Sequence, residues 1–328
     1  MRSSISNSDP SRPWPKSRMA VLAMLLALVW VATAALLNAL DPYPPPRPAA
    51  TGASAALGPD TRVLVVGISH VLDGIRPSLL GPHAMNLALA GGDYRALLLV
   101  LRHRLADMPN LETVVVEADN LCLFQAGVDR KDFSEFYAWG LSRNDLPLSW
   151  RAKRWQAIVE QPLIAPFIYS RRLTPASWPS APKLDLIIEP GFQSTTQRVA
   201  SYNNGSALIR LHERMVSDQA ADHNLKALEE LLLLLKNRGV RIVLLTLPHH
   251  QGYRSGASDR WQKTFSNLLD AARSVLGDEM VWWDLESHPE FTDADFMDGH
   301  HLNVVGAAKM SEWLRESVAK LDDRSAAP

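Results

Sequence analysis

Cysteine is almost absent from this chain, with Cys122 alone among 328 residues. No internal disulfide can form, and a single thiol fits a reducing or an oxidising compartment equally. Its ordinary role is that of a small buried hydrophobe. A strong charge of either sign is also missing: 34 Lys and Arg face 35 Asp and Glu, a formal net charge of −1. Without a basic excess or a dense Lys/Arg cluster, a nucleic-acid partner is not expected. There is no His-Glu-x-x-His run or paired metal-ligand spacing. A metal-dependent phosphoesterase built from the histidines and aspartates near 293–301 therefore has little support, and no metal or other cofactor is expected. Internal repeats are lacking too.

What is present is a globular composition, 47% hydrophobic and 21% charged, sufficient for one domain with a substantial core and something extra. The extra element is the run from Met19 to Leu40, which holds no charge and in which only Thr33 and Asn38 are clearly polar. About 20 such residues span a bilayer. Arg2, Arg12, Lys16 and Arg18 precede it, whereas Arg47 is the sole base between Asp41 and Asp60. This asymmetry predicts a cytoplasmic tail over 1–18, a transmembrane helix over 19–40 and an extracytoplasmic remainder. A cleaved signal peptide is the alternative, weakened by the length of the run and by the lack of an Ala-x-Ala site after it. Residues 41–60, prolines first and then Ala, Gly and Ser, read as a stiff spacer followed by a flexible one.

From residue 61 to about 321 the pattern alternates between short apolar strands and longer stretches of helical period, as in a doubly wound α/β sheet. Strands are expected at about 62–67, 83–88, 112–118, 240–247 and 280–284, and helices at about 92–107, 206–237, 259–276 and 304–321. Residues 322–328 form a short tail. Between about 121 and 205 the alternation fails. That stretch carries Trp139, Trp150, Trp155, Trp178 and several prolines, and it reads as a functional insertion that caps the sheet edge.

Two motifs stand out. Gly67-Ile68-Ser69-His70 follows the apolar run Val63–Val66, and Asp298-Gly299-His300-His301-Leu302-Asn303 precedes the last helix. In an open α/β sheet both fall at the carboxyl edge of the strands, where ligands bind, so residues more than 200 positions apart can meet. A serine hydroxyl needs a base to take its proton and an acid to orient that base. Ser69, His301 and Asp298 fit these roles, and a spacing of three lets the carboxylate reach Nδ1 while Nε2 faces the serine. His300 lacks that spacing. His249 and His250 follow an apolar strand to the same edge and, with His70, are candidates for substrate contact. Asp284 reads as structural.

These residues resemble the SGNH, or GDSL-like, hydrolase superfamily, whose first block is Gly-Asp-Ser and whose last is Asp-x-x-His, often continuing His-Leu-Asn-x-x-Gly as Asp298 to Gly306 does. With the N-terminal anchor, the chain looks most like membrane-anchored proteins of envelope acylation, the DltD-like D-alanyl transfer proteins and the SGNH-like proteins of alginate O-acetylation. The resemblance implies a three-layer sandwich around a five-stranded parallel sheet, with the insertion after the third strand. It also implies an acyl-serine intermediate and oxyanion donors at the Ser69 N–H, at Gly91 or Gly92, and at Asn120. Ile68 stands where the family has aspartate, and Ala118 where it has glycine two residues before the asparagine.

The expectation is a single-pass inner-membrane serine esterase or O-acyltransferase whose catalytic domain faces the periplasm. Its partners would be an acyl-ester or polysaccharide substrate and a membrane-bound acyl donor. The alternative is an anchored scaffold whose triad has lapsed.

Overall fold

A computed structural model describes residues 16–39, 48–124, 134–150, 186–196, 205–214 and 218–325. Helices α1 (Lys16–Ala39) and α2 (Pro48–Ala56) come first. They are followed by β1 (Val63–Gly67), α3 (Ser69–Gly74), α4 (Pro77–Leu80), β2 (Ala84–Ala88), α5 (Tyr94–Arg104), β3 (Thr113–Glu117) and α6 (Asn120–Phe124). Next are α7 (Ser134–Ala138), a hairpin of β4 (Leu186–Glu189) and β5 (Phe192–Thr195), α8 (Gly205–Arg214) and α9 (Asp218–Arg238). The last elements are β6 (Arg241–Thr246), α10 (Gln251–Arg254), α11 (Asp259–Leu276), β7 (Val281–Asp284) and α12 (Val304–Ser325).

Five strands pair in the order β2-β1-β3-β6-β7, all parallel, and each lies within two residues of its expected position. They read as unbroken apolar runs because both faces are covered. Alternate side chains go to opposite sides, as the period of two requires. Leu64, Val66, Val114, Val116, Ile242 and Leu244 join one core with α5, α9 and α11. Val65, Val115, Val243 and Leu245 join the other with Val71 and Leu72 of α3 and Met310 and Leu314 of α12. The result is the three-layer α/β arrangement. The order reverses its direction of winding between β1 and β3, and the crevice outside the carboxyl ends of those two strands is where such sheets hold ligands.

Two expectations need correcting. The single helix expected over 206–237 is two, α8 and α9, because their apolar stripes serve different neighbours. Leu208 and Ile209 of α8 are buried on the α10 side, whereas Leu228, Leu231, Leu232 and Leu235 of α9 are buried between α5 and α11. The Ala/Gly/Ser stretch expected as flexible linker is α2. Ala53 and Leu57 enter the main core, and the Arg104 guanidinium bonds Ser54 Oγ at 2.6 Å and the Trp139 carbonyl at 3.1 Å. The proline spacer ahead of it lies outside the described residues.

The expected insertion is described only at 121–124, 134–150, 186–196 and 205. Its hairpin lies against α3, where Asn86 Nδ2 donates to the Gly191 carbonyl at 3.0 Å and Ser194 Oγ to the Leu302 carbonyl at 3.2 Å. Gly191 has φ of +76° and sits so close to Asn86 that a Cβ there would be 2.7 Å from the Asn86 Cβ. Trp139 and Trp150 are core residues, whereas Trp155 and Trp178 lie outside the described residues.

Helix α1 covers most of the apolar run expected to cross a membrane. Among the described residues no helix is long and apolar enough to do so. The described side chains of α1 stop at 17–29 and 32, and within them Met24, Leu25, Leu26, Leu28 and Val29 are all exposed.

One buried carboxylate shapes the turn between β1 and α3. Glu117, the last residue of β3, accepts the Ile68 N–H on Oε2 at 2.6 Å and meets His70 Nδ1 with Oε1 at 2.7 Å. Gly67 has no Cβ because Glu117 occupies that space: a Cβ would collide with Glu117 Oε2 and Val71 Cγ2. Ile68 is fully buried in the main core. An aspartate there would lose roughly the 1.5–3 kcal/mol that a buried aliphatic side chain contributes and would bury a charge as well.

Glu117→Ala strands two buried donors, each costing about 1–3 kcal/mol. Denaturant unfolding of Glu117→Ala is therefore expected to show a loss of more than about 2 kcal/mol, with Gly67→Ala also destabilised. Wild-type midpoints for both would remove the brace from the account.

Candidate active site

The loop before α12 is a small closed structure. Phe296 and Leu302 form an antiparallel bridge, and the Met297 N–H donates to the His301 carbonyl at 2.9 Å. Leu302 is buried against Phe296, and Asn303 caps α12 by accepting the Val305 and Gly306 N–H groups at 2.9 and 3.1 Å. A Cβ on Gly306 would collide with the Asp295 carbonyl. Each letter of the His-Leu-Asn-x-x-Gly run thus has a packing or capping task. At the tip, Asp298 Oδ1 accepts the N–H groups of His300 and His301 at 2.9 and 2.8 Å, which holds the carboxylate still.

This loop meets the start of α3. His301 Nδ1 lies 2.9 Å from Asp298 Oδ2, and His301 Nε2 lies 2.9 Å from Ser69 Oγ. Ser69 is half-buried and His301 is 14% exposed, so a small substrate can reach the pair. Ser69 is the first residue of α3, whose opening N–H groups have no intrahelical partner.

The charge on His301 is set by its neighbours. Burial disfavours its imidazolium, but the Asp298 carboxylate, the bond to it and Asp73 outweigh burial and lift the pKa to about 9. Asp298 is itself held far below the usual carboxylate range; burial opposes this, but His301 and His300 overcome it. Around this pair lies a set of histidine rings. His300 is 3.8 Å from His301 between ring centroids, and His70 is 5.0 Å from His300 and 5.1 Å from His301. Burial pushes His70 down to about 3, His212 to about 4 and His300 well below its ordinary value. These three rings are neutral at neutral pH and the proton collects on His301, beside Asp298.

The other expected residues are dispersed. Gly92 spends its N–H on the Leu89 carbonyl at 2.7 Å, closing a turn in which Gly91 takes φ of +69°. Of the two, Gly91 is the one whose N–H the turn leaves uncommitted. Asn120 is buried, its Nδ2 donating to the Trp261 carbonyl at 2.8 Å. His250 is a cap for α10, accepting the Gly252 N–H, with Nε2 on Asp293 at 2.9 Å. His249 lies inside the cluster, 5.2 Å from His70 between ring centroids. Asp284 is an exposed strand end whose Oδ1 accepts the Glu286 N–H at 3.1 Å, the structural part expected of it.

Several contributors escaped sequence reasoning. Asp73 stands four residues after Ser69 on α3, hence on the same helical face, and its carboxylate is 3.9 Å from His301 Nε2. Tyr253 bonds His212 Nδ1 at 2.8 Å and stacks on His300. Glu117 had a visible signal, a charge closing the fully apolar run Val114–Val116. Tyr253 and His212 had none.

No protein-family model matches the chain, and no curated protein matches it. Among solved structures, the chain is similar to a GDSL-like lipase from Bacteroides thetaiotaomicron, at 11% identity over 82% of this chain and 94% of that one, TM-score 0.41. It is also similar to a carbohydrate acetylesterase family member from Sinorhizobium meliloti, at 12% identity over 79% of this chain and 97% of that one, TM-score 0.32. A third is an acetyl-xylooligosaccharide esterase from Geobacillus Stearmophilus, at 13% identity over 80% and 95%, TM-score 0.35. These are likenesses of outline, and the chemistry of the site rests on its own residues.

Proposed function

We propose that this protein is a serine esterase or O-acyltransferase of the SGNH type. The observation that carries the reading is the unbroken relay from Ser69 Oγ to His301 Nε2 and from His301 Nδ1 to Asp298, each step 2.9 Å. Ser69 Oγ attacks the acyl carbonyl as His301 takes its proton, and the imidazolium so formed is stabilised by Asp298. The collapsing intermediate takes that proton on its leaving oxygen and leaves an acyl group on Ser69. Water or a sugar hydroxyl, deprotonated by His301, then removes it. The Ser69 N–H is the first oxyanion donor; Gly91 is the second, its N–H being uncommitted in the turn after β2. Asn120, expected as a third, has its Nδ2 on the Trp261 carbonyl instead.

The physiological setting is the outer face of the inner membrane. The run from Met19 to Leu40 holds no charge and has the length, roughly 20 residues, that a bilayer core requires. The basic residues before it favour a cytoplasmic N-terminus, with the domain from residue 61 held in the periplasm. The acyl group would pass from a membrane-bound donor to a cell-envelope or exported polysaccharide, as in the DltD-like and alginate O-acetylation proteins. The anchor joined to an acyl-transfer triad supports this assignment, and reporter fusions after residue 60 test the orientation.

Mass spectrometry after exposure to p-nitrophenyl acetate is expected to place one acetyl group on Ser69. Ser69→Ala is expected to lose the adduct and more than about a thousandfold in kcat. Turnover by wild type with no adduct on Ser69 would reject the covalent route, and an unchanged acylation phenotype in Ser69→Ala cells would favour the scaffold reading.

The pH profile gives a separate test. Only the neutral imidazole accepts a proton from Ser69, so kcat/KM should rise with pH and level off as His301 passes its pKa of about 9. Asp298→Asn removes the main counter-charge, so its midpoint is expected at lower pH, with kcat reduced about ten-thousandfold. A wild-type midpoint near the ordinary histidine value would contradict the electrostatics described above.

A further inference from the structure

Beside the triad lies a group of side chains that acyl transfer does not use. We propose that His70 Nε2, Asp119 Oδ2 and His249 Nε2 bind a divalent transition-metal ion of the zinc class, leaving a fourth position for water or an anionic ligand.

The donors come from three sheet-edge segments: the start of α3, the end of β3 and the loop after β6. All three are buried, and their ligand atoms lie within 4.8 Å of one another. Each presents the right atom. His70 has Nδ1 engaged by Glu117 at 2.7 Å, which leaves Nε2 buried with no hydrogen-bond partner. Asp119 spends Oδ1 on the Leu121 N–H at 2.6 Å, leaving Oδ2. His249 Nε2 stands 3.3 Å from Asp119 Oδ2, and its Nδ1 stands 3.5 Å from Glu286 Oε1. Neither contact has hydrogen-bond geometry.

Those distances favour an ion over a plain ion pair. A charge-assisted N–H···O bond closes to about 2.7–2.9 Å. Two donors each about 2.0–2.1 Å from a tetrahedral zinc stand roughly 3.3–3.4 Å apart, the separation of His249 Nε2 and Asp119 Oδ2. The surroundings agree. Zinc-bound histidines commonly place their other ring nitrogen on a carboxylate, and here Glu117 stands behind His70 and Glu286 behind His249. Two imidazoles and one carboxylate suit zinc rather than calcium or magnesium, which prefer oxygen. His249, Glu286 and Arg254 also line a polar cavity beside the cluster.

The site shares no donor with the triad, since both ring nitrogens of His301 are taken by Asp298 and Ser69. Metal binding and serine chemistry therefore fail independently. A second triple, His70, His300 and His301, would draw His301 out of its relay, and the test separates the two.

The test is isothermal titration of the chelator-stripped full chain with zinc chloride near neutral pH, paired with the visible absorption of cobalt(II) added in its place. Wild type and Ser69→Ala are expected to bind one equivalent, with the intense bands of four-coordinate cobalt. His249→Gln and Asp119→Asn are expected to weaken binding at least about tenfold, and Glu286→Gln, which leaves all three donors in place, by about ten- to a hundredfold. Circular dichroism certifies that each variant is folded, and His249→Gln and Asp119→Asn are read independently so that either suffices. No binding by wild type overturns the proposal. So does binding unaffected by these changes, or lost on His300→Gln but kept in His249→Gln.

Discussion

The Glu117 carboxylate, buried at the end of β3, is the constraint on which the site depends. It takes the Ile68 N–H on one oxygen and the His70 ring on the other, so the turn that carries Ser69 hangs between two bonds from a neighbouring strand. Its neighbours accept this arrangement at some cost. Burial raises Glu117 to about 7, against the Ile68 N–H and the nearby histidines. The strain of keeping a carboxylate there is offset by the fixed geometry of the nucleophile, and Gly67 is glycine because that carboxylate lies against it.

The histidine cluster follows from the same crowding. Several imidazoles within about 5 Å of one another cannot all be charged in a dry site. Burial and mutual repulsion keep His70, His212 and His300 neutral, and Asp298 draws the proton to His301. A neutral ring buried with an unpartnered nitrogen is costly unless something uses it. His70 Nε2 is such an atom, which is why the neighbouring donors bear on its purpose.

Much of the fold was legible because parallel strands covered on both faces must be apolar throughout. Val63–Val66, Val114–Val116 and Ile242–Leu245 could hardly be read otherwise. The Asp298–His301 pairing was legible too, being local: a carboxylate three residues before an imidazole in a tight loop has little choice of partner. That α8 and α9 are two helices was not, since the apolar residues run on from one to the other without a Gly or Pro stop, and the packing partners differ. Helix α2 was hidden by its composition, as Ala, Gly and Ser suit a linker and equally suit close helix packing.

Residue order alone therefore decided where the five parallel strands form, that Ser69 sits where β1 ends, and that Asp298 faces His301, because each depends on periodicity or on contacts a few residues apart. Tertiary structure alone decided that Glu117, 47 residues from His70, braces the nucleophile turn, and that His249 and Asp119 come beside His70. It also decided which histidine holds the proton. Those outcomes depend on burial and on distances between segments remote in the chain, and neither quantity exists until the sheet has brought them together.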